Sequence, residues 1–129
     1  MTNGSEGADA PFMEATRAMG AEVADFHIRW PQLARLPAPL VEVAGETANL
    51  LEEEVEELQR EIAAGEIELE ATCEEAADVL FVAMGLLYRL GAPGAAAMRR
   101  VVEKNRAKTG QTHFFDPARR KVRRRPGVA

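Results

Sequence analysis

The stretch CEEAADVLFVAMGLLYRL, from Cys73 to Leu90, decides the fold. From Ala76 to Tyr88 it is apolar nearly all round, the pattern of a helix covered on every side rather than along one stripe. The spacing predicts a helix over about 68–90, with Gly91 just past its end and Pro93 beyond as stop signals. Upstream, a second helix is expected from near Pro39 to about Ala64, with Gly65 as its C-terminal cap. Before it, WPQLARLPAP (Trp30 to Pro39) carries three prolines and reads as a connection. A first helix is expected over about 11–28, with Pro11 in the first turn, where its missing donor costs nothing. Downstream, a fourth helix is expected over about 94–108, stopping at Gly110. The remainder, QTHFFDPARRKVRRRPGVA, lacks helical periodicity and reads as an extended tail. No alternating strand pattern or internal repeat is visible, so the chain reads as all-α, with a disordered polar leader at 1–10, a helical domain at 11–110 and a basic tail at 111–129.

The composition agrees. Aromatics make up 5% of 129 residues, and Ala, Leu and Glu dominate, which favours helix over sheet. A single cysteine, Cys73, rules out an internal disulfide or a cysteine-based zinc site and fits a reducing, cytoplasmic setting; it reads as a core-edge residue. The N-terminus has no basic segment followed by an apolar one, so no signal peptide is read there. The apolar run Val79–Tyr88 is too short to span a bilayer, so no membrane partner is expected. The net charge of −5 hides a strong asymmetry: residues 1–98 hold 5 basic and 19 acidic side chains, and residues 99–129 hold 11 basic and 2 acidic ones. A single-sign partner for the whole chain is therefore disfavoured, and nucleic acid with it.

The acids carry the chemistry. LLEEEVEEL, from Leu50 to Leu58, holds five glutamates. At about 100° per residue, Ala44, Leu51, Val55, Leu58 and Ile62 form the expected core stripe. Glu54 then sits on the stripe's edge, with Glu57 and Glu61 behind it, while Glu52, Glu53 and Glu56 lie to the side or opposite. On the third helix Glu75 and Asp78 share a face with Val79, Val82 and Leu86. A lone run of glutamates is ordinarily a solvated face, and an acid pair at a helix start is ordinarily favourable charge at the N-terminus. Together the two pairs ask for more. A carboxylate among apolar residues needs a cation, a proton or a donor, and the chain to residue 98 has five Arg and no Lys. Residues three apart lie on neighbouring turns, so Glu54 with Glu57 and Glu75 with Asp78 can converge across antiparallel helices. Oxygen ligands without His or Cys suit Mg²⁺ or Mn²⁺. A di-iron site would want Glu-x-x-His, which neither His27 nor His113 completes.

EEVEEL at Glu53–Leu58 and EAAD at Glu75–Asp78 resemble the E-x-x-E…E-x-x-D signature of the MazG-like all-α nucleoside triphosphate pyrophosphohydrolases, a superfamily that includes dimeric dUTPases and phosphoribosyl-ATP pyrophosphohydrolase. EKNRAKTG and the basic residues after it resemble the Asn-x-x-Lys segment and tail of some MazG-like and dUTPase-like members. The glycine of their usual GKV is replaced by Arg120. The resemblance implies a four- to five-helix antiparallel bundle that assembles as a dimer or tetramer around the third helix. It implies cleavage of an NTP or dNTP between the α- and β-phosphates, as in nucleotide-pool house-cleaning. On this reading Glu54, Glu57, Glu75 and Asp78 hold Mg²⁺, which Mn²⁺ can replace, and Glu53 and Glu54 are catalytic. Lys104, Asn105 and Lys108 bind the phosphates, the base stacks on Trp30 or Phe26, and His27 lies near the sugar. Two alternatives stand beside it. One is phosphoribosyl-ATP hydrolysis, ranked second because EKNRAKTG fits the MazG-like side better. The other is a non-catalytic helical adaptor whose ARRKVRRR tail binds nucleic acid.

Overall fold

A computed structural model of the chain describes residues 4–128. Four helices form in order: α1 (Gly4–Arg29), α2 (Leu40–Ala63), α3 (Leu69–Arg89) and α4 (Ala92–Arg106). Two short strands follow, β1 (His113–Asp116) and β2 (Lys121–Arg124). The chain is of the all-α class, and it divides into two compact units, one through Gly94, where the helices pack as a bundle, and one from Ala95. Among the described residues no helix is long and apolar enough to cross a membrane.

In the first unit α3 packs against both α1 and α2. Val23 of α1 and Val43 of α2 are its buried apolar residues, and Phe26 meets Phe81 edge to face at 5.3 Å between ring centres. On α2 Val43 and Thr47 are buried, and Leu51, Glu54, Val55, Glu57, Leu58 and Glu61 are half-buried; Ala44 and Ile62, expected inside, are exposed. The face is turned toward the acids because Val43 and Thr47, one turn apart, are the positions driven deepest. The α3 surface is less covered than its composition suggests: Val79–Leu87 is mostly half-buried and Leu80 is 47% exposed. Cys73, expected at the core edge, is exposed.

The ends of the helices follow ordinary stop signals, with two differences. α1 begins at Gly4 and carries Pro11 in its interior, so positions 4–10, read as a leader, are helical; positions 1–3 lie outside the described residues. Gly65 does not take the left-handed conformation of a cap, whereas Gly91 does, at φ 69°, directly after α3. That turn lets α4 start at once, and Gly94 then lies so close to α3 that a Cβ on it would stand 2.0 Å from the Leu87 carbonyl oxygen.

In the second unit the basic segment is not an extended tail. β1 and β2 pair antiparallel, with Phe115 opposite Val122 and Asp116 opposite Lys121. Asp116 organises the turn: its Oδ1 accepts from the Ala118 and Arg119 amides at 3.0 and 3.3 Å, and its Oδ2 pairs with Arg119 and Arg123. Arg120 takes φ 52° there and places its guanidinium 4.9 Å from the Phe115 ring centre.

Candidate active site

The α2 stripe that meets α3 contains carboxylates where a core would place apolar side chains. Glu54, Glu57 and Glu75 each offer an oxygen within 4.8 Å of the other two. All three are half-buried. Glu54 Oε2 and Glu75 Oε2 are fully covered and have no hydrogen-bond partner. Burial raises the Glu54 carboxyl pKa, and the charges of Glu57, Asp78 and Glu53 push it the same way. Glu75 is raised as well, by burial first, then by the adjacent Glu57 carboxyl and by the charges of Asp78 and Glu54. Among the described residues none of these acids takes part in an ion pair. Covered carboxylate oxygens without donors are costly, and clustered like charges add to that cost. The donor set, all oxygen and short of positive charge, fits a hard divalent cation.

The structure thus brings three of the four expected ligands together. Asp78 is exposed; its charge acts on both Glu54 and Glu75, and it lines one cavity with Glu54. Glu53 is exposed and contributes to Glu54 only through its charge.

That cavity, about 230 Å³, runs from Glu54 and Asp78 past Leu50, Phe81, Val82 and Phe26 to a second polar end. His27 borders it and is 3% exposed. Its Nδ1 donates to the Val23 carbonyl at 2.7 Å, which leaves Nε2 as the other edge of the ring. Gly85 makes room for this ring: a Cβ there would lie 2.9 Å from His27 Cε1. Trp30 is 52% exposed and does not line the cavity; its neighbour Phe26 does. Lys104, Asn105 and Lys108 belong to the second unit. There Lys104 is exposed, Asn105 donates to the Val101 carbonyl at 2.9 Å, and Lys108 lines a separate opening with His113 and Arg125.

Sequence reasoning missed the other polar end, made by Glu46 and Arg89. Arg89 is 5% exposed and ion-pairs with Glu46 at 3.3 Å. It donates to the Ala34 carbonyl at 3.0 Å and to Thr47 Oγ1. Burial lowers its pKa while Glu46 acts against that. An arginine in the last turn of an apolar helix looks like ordinary helix-end charge. The usable signal was its spacing, four residues after Gly85 on the face that also carries Asp78 and Val82.

The phosphoribosyl-ATP pyrophosphohydrolase family model matches residues 33–105, more than half of the chain, and takes in all four acids as well as Glu46 and Arg89. The chain belongs to that family. Phosphoribosyl-ATP pyrophosphohydrolases are members of the MazG-like all-α superfamily that the acid motifs resemble. The match makes the chain a pyrophosphohydrolase by family, and it falls to the relative that EKNRAKTG had placed second. The matched region includes Asn105 but stops short of the hairpin, so the basic segment played no part in the assignment. No curated protein and no solved structure matches the chain.

Proposed function

We propose that the chain hydrolyses the bond between the α- and β-phosphates of a nucleoside triphosphate moiety: water adds at the α-phosphorus and pyrophosphate leaves. Phosphoribosyl-ATP is the first substrate to test, because the family carries its name. The NTPs and dNTPs of nucleotide-pool house-cleaning form the comparison panel. The observation that supports this reading is the convergence of Glu54, Glu57 and Glu75 with two covered, unpartnered oxygens. These three, with Asp78 beside them, would hold one or more Mg²⁺ ions, or Mn²⁺. When bound, the cation supplies positive charge to the phosphate chain and polarises the phosphorus.

The rest is the work of the chain itself. Glu53, free of the cluster and open to solvent, takes the proton of the attacking water. Phe26, Leu50, Phe81 and Val82 give the base an apolar wall and keep water off it. His27, fixed by Val23, presents Nε2 at the level of the sugar. The half-covered α3 supports assembly with a second copy.

The test is pyrophosphate release from phosphoribosyl-ATP and the nucleotide panel with Mg²⁺, Mn²⁺ or EDTA. Metal-dependent release with a monophosphate product, lost in Glu54→Gln and Glu75→Gln, is the expected result. No turnover of any of these substrates by well-folded protein would overturn the reading.

A further inference from the structure

The hairpin lies outside the region that the family model matches, and the hydrolysis makes no use of it. Residues 99–129 hold 11 basic and 2 acidic side chains. One of the acids, Asp116, is taken up by Arg119 and Arg123 at the turn. Among the described residues no other basic side chain of the second unit takes part in an ion pair. Charge gathered in this way repels itself, and a compact unit holds it at a cost unless an anion comes to meet it.

Strand pairing sorts the hairpin into two faces. Opposite residues of an antiparallel pair point the same way and successive ones alternate, so His113, Phe115, Val122 and Arg124 share one face. Phe115 is 49% exposed there, with the Arg120 guanidinium against its ring. Beside them Lys108 and Arg125 border an opening of about 370 Å³ with His113 and Phe115. Burial lowers the His113 pKa, and the charges of Arg124 and Lys108 lower it further, so the cations reach the same spot.

An exposed ring, an arginine plane and unpaired cations on one face suit one class of anion. A single nucleic-acid strand carries a phosphate at every step and a flat base beside it; cations meet the backbone, and the ring meets the base. An acidic peptide would satisfy the charges and leave Phe115 idle. A bilayer or a long duplex presents a broad anionic surface, which the 19 acidic and 5 basic side chains of residues 1–98 oppose. A short flexible strand needs the hairpin alone, so the mixed charge that disfavours nucleic acid along the whole chain does not bar it.

We propose that the hairpin binds single-stranded nucleic acid, with Lys108 and Arg124 on the phosphates and Phe115, backed by Arg120, stacking a base. Every base has a face to stack, so the binding tolerates sequence. It is a second site, independent of whether the acids hydrolyse a nucleotide.

The experiment is fluorescence anisotropy of the full chain with a 3′-labelled oligothymidylate of about a dozen nucleotides, in EDTA. The strand ends in a 5′-hydroxyl and has no triphosphate to cleave, so its binding is read apart from any hydrolysis. Saturable binding is expected, weakening about tenfold as salt rises from about 50 to about 200 mM. Arg124→Glu and Phe115→Ala are each expected to weaken it about tenfold, while Phe115→Trp binds at least as tightly as the wild type. The Arg124 side chain is exposed and in no ion pair, so Arg124→Glu is expected to keep the melting temperature and the pyrophosphate release of the wild type. No binding at the lower salt, an affinity unchanged by Arg124→Glu or by Phe115→Ala, or polyglutamate or phosphatidylglycerol vesicles bound as tightly as the strand would overturn the assignment.

Discussion

At the residue scale, Glu54 and Glu75 are the side chains whose environment departs most from what a stable fold requires. Their carboxyl pKa values are raised in the folded chain above the ordinary glutamate value of 4.5. The native state therefore holds protons more tightly than the unfolded chain. The associated stability is fully present below the unfolded value and is lost as pH rises through the folded one. Metal-free protein in EDTA is thus expected to melt higher near pH 5 than near pH 7.5, and Glu54→Gln or Glu75→Gln should shrink that difference. Asp116 runs the other way, its pKa held down by Arg123 and the turn amides against burial, and its contribution is lost only at more acid pH. On the proposed reading Mg²⁺ would compete with those protons, so a gain in melting temperature on adding it, largest at the higher pH, is the expected outcome. In turnover, either Gln variant is expected to lose on the order of 100-fold or more, since metal polarisation is worth several kcal/mol. The two acid pairs were legible in the sequence because apolar residues flank them at helical spacing. Glu46 and Arg89 were not, because they meet across 43 positions of chain and share a partner, Ala34, inside the proline-rich connection, which no helical period ties to either.

At the scale of elements, α2, α3 and α4 lie within two residues of where periodicity and stop signals put them. The hairpin escaped because β2 is exposed along its whole length, so no alternation of apolar and polar residues marks it. What holds it is the Asp116 turn and the Arg120–Phe115 contact, which depend on pairing across the chain rather than on period. The rotated face of α2 escaped for a related reason: the wheel weighed Ile62 and Ala44 as core, and packing chose Val43 and Thr47. Two glycines test how tightly the elements meet. At Gly85 an added Cβ faces the His27 ring at 2.9 Å, and the ring can give way, so Gly85→Ala is expected to cost about 1–3 kcal/mol. At Gly94 the obstacle is the Leu87 carbonyl at 2.0 Å, backbone that cannot yield without moving the α3–α4 turn. Gly94→Ala should therefore be the more damaging of the two in urea unfolding, and a His27→Ala background should relieve Gly85→Ala but not Gly94→Ala.

At the scale of the whole molecule, the all-α class followed from one apolar helix, but what covers that helix did not. Of the described apolar side chains in the first unit, Val23 and Val43 are the buried ones. Leu80 on α3 stays 47% exposed, and Phe12, Met13 and Ile28 on α1 are more than half exposed. Exposed apolar side chains on two helices are costly in water and offer surface for association. A second copy is the partner that fits, because the same helix on a two-fold related chain offers the same unmet surface. The expected outcome is a dimer or tetramer of the 14.1 kDa chain in sedimentation equilibrium at micromolar concentration. Leu80→Glu is expected to shift it to monomer and lower its melting temperature, since a charge at the seam of a symmetric interface is met by its own copy. Leu80 does not line the cavity, whereas its neighbours Phe81 and Val82 do. A monomeric Leu80→Glu protein that keeps pyrophosphate release would place the reaction within one chain. A wild-type chain that sediments as a monomer would mean that the exposed α3 surface serves something other than self-association.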